Sequence, residues 1–248
     1  MRTKVALFVT CLTDTFYPRV GQAVVRLLRH FGCRVEFPAA QTCCGQPAFN
    51  SGFHAQARAV ARRMVRLFAG YECVVTPSAS CAVMVREHFP ELLADDRLRP
   101  QAERLAASTH EIITFLAHEL GVDIARHLRF PEPVTVHYPC HARGIYSLDE
   151  LLGWLSAADG IDLRIPRQAD LCCGFGGAFA VDYPAISGAM LADKLAVLAA
   201  TGARLVICNE GGCALHMSGG AHRQGLPLRF KHLAECLAES LGLLEAGA

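Results

Sequence analysis

Short unbroken apolar runs punctuate the chain and predict buried strands: Val5-Ala-Leu-Phe-Val-Thr, Glu72-Cys-Val-Val-Thr, Val134-Thr-Val-His-Tyr and Arg204-Leu-Val-Ile-Cys. Strands apolar on both faces are characteristic of parallel sheets covered by helices. Between them lie stretches with apolar positions three and four apart, Ala55–Phe68 and Ala185–Ala199, which predict helices. His110–Gly121 and His232–Gly242 predict two more amphipathic helices, each ending at leucine-glycine, where glycine supplies a helix C-terminal turn. Shorter strands are expected at Arg34–Phe37 and Asp162–Ile165. Strands alternating with helices of 10–15 residues read as βα units, so the fold class is α/β.

These signals come in the same order twice. Val5 opens a strand that leads to Cys11, and Val134 opens one that leads to Cys140. Cys43-Cys44-Gly45 begins 32 positions after Cys11, and Cys172-Cys173-Gly174 begins 32 positions after Cys140. Each half then carries a helix, a strand and a further cysteine at a turn, Cys81 and Cys213. The chain therefore reads as two tandem, pseudo-two-fold-related βα repeats with mainly parallel sheets. Pro131 and Pro133 interrupt both helix and strand and suggest a division into residues 1–128 and 129–248.

Composition narrows the possibilities. A length of 248 residues with 52% hydrophobic and 19% charged residues supplies ample core and excludes a disordered chain. A net charge of +1 gives no electrostatic footprint for a nucleic-acid partner. The longest uncharged apolar stretch, Cys73–Val85, is shorter than the roughly 20 residues a membrane helix needs. Met1–Leu12 reads better as a first strand than as a signal peptide, and the expected location is cytoplasmic.

Twelve cysteines are the unusual feature. They fall short of the density of disulfide scaffolds, and two of the pairs are adjacent residues, a poor geometry for bridging. Functional groups in parallel α/β sheets gather beyond the carboxyl ends of strands. One half can thus bring Cys11, Cys43, Cys44 and Cys81 to one edge, and the other Cys140, Cys172, Cys173 and Cys213. Thiolates in groups of four select iron–sulfur clusters, zinc or copper(I). Structural zinc sites usually space their cysteines by two to four residues, whereas adjacent thiolates suit the several metal atoms of a cluster. The glycines after each pair, and Gly211-Gly212 before Cys213, let backbone N–H groups approach cluster sulfides. A vicinal-thiol redox enzyme is a further option, without the Cys-x-x-Cys motif that usually marks one.

The two-fold Cys…Cys-Cys-Gly…Cys pattern resembles the CCG (cysteine-rich) domain family. Its members include cluster subunits of heterodisulfide reductase, anaerobic glycerol-3-phosphate dehydrogenase and glycolate oxidase. Phe8-Val-Thr-Cys-Leu-Thr-Asp14, Thr42-Cys-Cys-Gly-Gln-Pro47, Thr76-Pro-Ser-Ala-Ser-Cys81 and Cys172-Cys-Gly-Phe-Gly-Gly177 carry the resemblance over almost the whole length. It implies an iron–sulfur oxidoreductase subunit of a cytoplasmic complex that oxidises L-lactate to pyruvate, with glycolate as the alternative 2-hydroxy acid. The implied partners are a ferredoxin-like iron–sulfur subunit and a third lactate-utilization subunit. The implied cofactor is one or two [4Fe–4S] clusters, cubane or noncubane, held by the eight repeated cysteines. A zinc-binding structural or assembly subunit is the alternative. Noncubane relatives carry an extra cysteine separated by two residues from the last one; Ser78 and Glu210 stand there, leaving four cysteines per half.

Other residues are read with less specificity. His137 and His141 flank Cys140 and are candidates for substrate proton chemistry, or for tuning a cluster by hydrogen bonding. His54 and His216 are weaker candidates of the same kind. His110 and His232 are expected to cap matching helices. Cys33, Cys73 and Cys236 lack counterparts and are assigned to core packing, while Cys208 is a reserve ligand. Arg143 and Lys194 are the cations to consider for a carboxylate substrate. No flavin or nicotinamide motif is visible. Two-electron oxidation of lactate normally needs an organic hydride acceptor, so the expectation is a chain that passes electrons on.

Overall fold

The structure, a computed structural model, describes residues 3–245. It divides into two compact units, Met1–Leu120 and Gly121–Ala248. The short helix Ile124–His127 falls in the second unit, where it packs on the helices Leu148–Ser156 and Leu233–Ser240.

In the first unit β1 (Lys4–Leu7), β2 (Arg34–Glu36), β3 (Val74–Thr76) and β4 (Thr109–Glu111) form a parallel sheet in the order β2-β1-β3-β4. In the second unit β5 (Val134–His137), β6 (Leu205–Cys208) and β7 (Arg229–Lys231) form a parallel sheet in the order β5-β6-β7. The sequence repeat is thus a repeat of topology, with β1, β3 and β4 answered by β5, β6 and β7. The counterpart of β2 is reduced to one bridge between Leu163 and Val134. Val134 N–H donates to Asp162 O and Arg164 N–H to Val134 O. Pro166 follows within two residues and, lacking an N–H, stops the ladder, so the strand expected at 162–165 does not develop.

Burial explains the apolar runs. All four residues of β5 and of β6 are buried, as are Val5, Ala6 and Leu7 of β1. Helices cover these sheets through stripes at helical spacing. Val20, Ala23, Val24, Leu27 and Leu28 face inward from Pro18–His30, and Ala57, Ala61, Met64, Val65 and Phe68 from His54–Phe68. In the second unit Pro184–Ala199 buries Ser187, Leu191, Lys194, Leu195 and Leu198. Small residues set the closest approaches: a Cβ on Gly220, in the helix Gly211–Arg223, would lie 2.6 Å from Leu191 Cδ2.

The first tail helix is shorter than its pattern suggests, because His110 and Glu111 belong to β4, whereas the second begins right after His232, the residue that follows β7. His110 lies within β4, so Glu111 takes the capping position expected of His110. Its Oε2 accepts from Ile113 N–H (2.9 Å) and Thr114 N–H (3.1 Å). His232 does cap its helix: Nδ1 accepts from Ala234 N–H (3.0 Å), while Glu235 reaches back to the His232 N–H (3.2 Å). Three-residue strands of mixed polarity, such as Thr-His-Glu and Arg-Phe-Lys, carry too little periodicity to be separated from the helices that follow.

Removing the Glu111 cap leaves two buried N–H groups without an acceptor. Glu111→Ala is expected to lower the unfolding free energy by about 2 kcal/mol. Glu111→Gln, which keeps an amide oxygen there, should cost less than half as much. Urea denaturation of the two variants checks this.

Candidate metal centres

Each half assembles its four repeated cysteines at the carboxyl edge of its sheet. Cys11 begins the helix Cys11–Phe16 after β1, and Cys81 sits in the helix Ala79–Val83 after β3. Cys43 and Cys44 occupy the loop between β2 and the helix Gln46–Asn50. Cys11 and Cys44 both hydrogen-bond to Cys43, and Cys44 Sγ lies 3.3 Å from Cys81 Sγ. The second half repeats the chain of contacts: Cys140 to Cys172, Cys172 to Cys173, and Cys173 Sγ to Cys213 Sγ at 3.1 Å. All twelve cysteines are free thiols.

Local backbone chemistry sets this up. Gly45 (φ 87°) and Gly174 (φ 83°) turn the chain after each pair in a conformation that favours glycine. Their N–H groups donate to Cys43 Sγ and Cys172 Sγ, each at 3.4 Å. Gly174 is also pressed against a helix, since a Cβ there would meet Ser187 O at 2.7 Å. Ser187 Oγ donates to Gly174 O (2.8 Å) and lies 3.3 Å from His216 Nε2. In the first half Gln41 acts as a side-chain splint. Its Nε2 donates to Leu7 O (3.0 Å) and its Oε1 accepts from Val9 N–H (2.9 Å), tying the approach to Cys43 onto the end of β1. Ser78 caps the helix that carries Cys81, accepting from Cys81 N–H at 3.2 Å. Thr10, immediately before Cys11, is the one non-glycine residue with positive φ (72°) among the described residues; its counterpart Pro139 has φ −67°.

Four thiols so close cannot all ionise. Hydrogen bonds from Cys11 and then Cys44 hold Cys43 far below the usual thiol range. Those from Cys140 and then Cys173 do the same for Cys172. The donors are pushed up in return: Cys11 by its bond to Cys43, Cys140 by its bond to Cys172, and buried Cys44 by bonds to Cys43 and Cys81. Cys173 rises through its bonds to Cys172 and Cys213. Cys213 is drawn down by the Cys173 bond, but burial outweighs it and the net shift is up to about 12. In each half the hydrogen bonds therefore favour ionisation at the first cysteine of the adjacent pair, Cys43 or Cys172.

The remaining candidates separate cleanly. His137 is 1% exposed, and neither ring nitrogen has a hydrogen-bond partner. A nitrogen of His137 and the sulfurs of Cys173 and Cys213 lie within 4.8 Å of one another. Burial, with Lys194 adding to it, pushes the imidazole down to about 3, so the ring is neutral and keeps a free lone pair. His141 Nδ1 lies 3.5 Å from Cys140 Sγ. His54 stands at the start of the helix His54–Phe68 with its ring against Phe49. Cys208 Sγ donates to Glu210 O (3.4 Å) from a buried position. Cys33, Cys73 and Cys236 are buried, and burial raises all three thiols.

Lys194 is not the substrate cation that its charge suggested. It is fully buried, with Nζ donating to Ala169 O (2.9 Å) and Gln168 O (3.4 Å). Burial brings it down to about 8, against the pull of Cys208 and Cys173. Arg143 is exposed and donates to Asp170 O (3.1 Å), with the Asp170 carboxylate 3.5 Å away. The buried lysine was missed because a single Lys within Ala-Asp-Lys-Leu-Ala reads as a solvent-facing position. Its place on the Ser187–Leu191–Lys194–Leu198 stripe was the available signal.

The CCG cysteine-rich domain model matches residues 5–86 and 134–218, one match in each unit and together most of the chain. Lactate utilization protein A of Exiguobacterium sp. is 41% identical over 242 residues, covering 96% of this chain and 98% of the relative. The chain belongs to the lactate utilization protein A family of CCG domain proteins. Lactate utilization protein A of Halalkalibacterium halodurans is 41% identical over 236 residues, covering 94% of this chain and 96% of the relative. Lactate utilization protein A 2 of Bacillus cereus is 38% identical over 240 residues, covering 96% and 99%. The family match ends at residue 86 in the first unit and 218 in the second, so β4 and β7 with their helices lie beyond it.

Two predictions follow from the geometry. In the metal-free chain at pH 6, Cys43 and Cys172 should alkylate before the more exposed Cys11 and Cys140, because the thiolate is the reacting form; iodoacetamide labelling with peptide mapping reads the order. Gly174→Ala should destabilise the chain by about 3 kcal/mol, through left-handed strain and overpacking against Ser187. Gly45→Ala, whose nearest new contact is Val60 at 3.3 Å, should cost about half that. Thermal unfolding of both variants distinguishes them.

Proposed function

We propose that the chain is an iron–sulfur electron-transfer subunit of a complex that oxidises L-lactate to pyruvate. The observation that carries this reading is the duplicated set of four sulfurs joined in one chain of contacts, each favouring a thiolate at the first cysteine of its adjacent pair. The relatives' name supplies the substrate class.

The donor chemistry fits a cluster. Four soft donors at one sheet edge supply ligands without a disulfide competing for them, and the adjacent cysteines can bind different metal atoms. A bound cluster would supply one-electron acceptance and donation. Cys11, Cys43, Cys44 and Cys81 would hold it in the first half, and Cys140, Cys172, Cys173 and Cys213 in the second. Metal binding would remove the remaining thiol protons, so cation charge would replace S–H hydrogen bonding as the force holding the sulfurs together. The Gly45 and Gly174 N–H groups stay aimed at sulfur, and donors to sulfur raise a reduction potential. Lys194 places a buried ammonium behind the second set.

Lactate gives up two electrons, and a carrier taking one at a time needs a partner that splits the pair. We therefore place hydride removal in a partner subunit and onward transfer in this chain, beside a ferredoxin-like subunit and a third component. A zinc-binding role draws support from the His137–Cys173–Cys213 trio, whose mixed nitrogen and sulfur donors suit zinc.

Anaerobically purified chain should hold about four irons per occupied half with matching acid-labile sulfide, and show a reducible EPR signal. Paired Cys43→Ser and Cys44→Ser substitutions should remove one half's share of iron, and Cys172→Ser with Cys173→Ser the other's. Zinc without sulfide in both halves would overturn the electron-transfer reading.

A further inference from the structure

We propose that the two halves hold unlike metal centres, the first ligated by cysteine alone and the second by cysteine plus the imidazole of His137. The inference deepens the metal-binding reading above and rests on it.

The repeat supplies an internal control. Counting back three residues from the first cysteine of each half gives Phe8 before Cys11 and His137 before Cys140. Both are buried at 1% exposure at the carboxyl ends of the corresponding strands β1 and β5. Phe8 uses its position for packing, edge-on to Phe68 with ring centroids 5.8 Å apart, in a cluster that also contains Cys44 and Cys81. His137 occupies the same position without any such use. Both nitrogens are buried without a hydrogen bond, so the water they lost is replaced by nothing. A phenylalanine there would avoid that loss, as the first half demonstrates.

A ligand resolves the anomaly. One His137 nitrogen already lies within 4.8 Å of the Cys173 and Cys213 sulfurs. Tetrahedral zinc or iron with bonds of about 2.0–2.3 Å needs its donors roughly 3.5 Å apart, so closing onto a metal takes a small contraction. The second half then has five donors, Cys140, Cys172, Cys173, Cys213 and His137, against four in the first. A neutral imidazole also adds no negative charge. An imidazole on a cluster iron that would otherwise carry a thiolate raises its potential, so a cluster in the second half would be reduced more readily than one in the first.

The test uses the full chain, anaerobically purified, with histidine nitrogen labelled as 15N. If the second half holds a cluster, pulsed EPR of the reduced protein is expected to show one strongly coupled imidazole nitrogen. The coupling should be lost in His137→Phe and kept in His141→Phe. If the second half takes up zinc instead, zinc-edge X-ray absorption is expected to show one nitrogen among sulfur donors, again lost in His137→Phe. His137→Cys should keep the metal and, for a cluster, shift its potential downward. A loaded second half with only sulfur donors in the wild-type chain would overturn the inference while leaving the metal-binding reading intact. Nitrogen coupling that survives in His137→Phe would do the same. Absence of any metal from the second half would overturn the inference, and absence of metal from both halves would overturn the metal-binding reading as well. The wild-type spectrum decides the matter even if a variant fails to fold.

Discussion

Mutual repulsion among closely packed sulfurs governs this molecule. Two thiolates about 4 Å apart repel by several kcal/mol in a partly buried setting, and each half brings four sulfurs to one loop cluster. The chain meets that constraint by favouring the thiolate at Cys43 and at Cys172, each of which accepts S–H hydrogen bonds from two neighbouring cysteines. The glycine turns, the N–H groups aimed at sulfur and the helices that start at the strand ends all serve to hold this crowded arrangement in place. A polycationic metal centre is the partner that would turn the repulsion into attraction.

The parallel sheet provides the frame. The buried strands β1 and β5 each deliver a cysteine, Cys11 or Cys140, to the edge of their own sheet where the cysteines that follow β3 or β6 also lie. Hydrophobic burial therefore fixes the strands, and strand direction fixes the chemistry at one end. The adjacent cysteines arrive from a loop with little secondary structure of its own. In the first half that loop is tied by the Gln41 side chain, and in the second by the backbone bond from Tyr138 N–H to Ala169 O.

Much of this was legible in the sequence, because a duplicated cysteine spacing and apolar runs are signals that survive without an alignment. The helices 55–68 and 185–199 and the strands ending at Thr76 and Cys208 fall where the periodicity puts them, within a residue or two. What stayed hidden was short or contrary to type. The strands β4 and β7 have three residues each, and their polar side chains merge into the helices that follow. Lys194 is a charged residue on an apolar stripe, and only the packing shows that backbone carbonyls satisfy it. For His137 the sequence marked its place beside the cysteines, but a missing hydrogen-bond partner is a property of three dimensions alone.

Thr10 and Pro139 give the two halves different histories as well as different donors. Proline is confined to φ near −65° in the unfolded chain too, so the approach to Cys140 loses little conformational freedom on folding. Thr10 must instead be driven into a region that side chains avoid, at a cost of about 1–3 kcal/mol. That torsion leaves stored strain directly beside Cys11, with no counterpart beside Cys140. The same four-sulfur arrangement is thus preset in one half and held under load in the other.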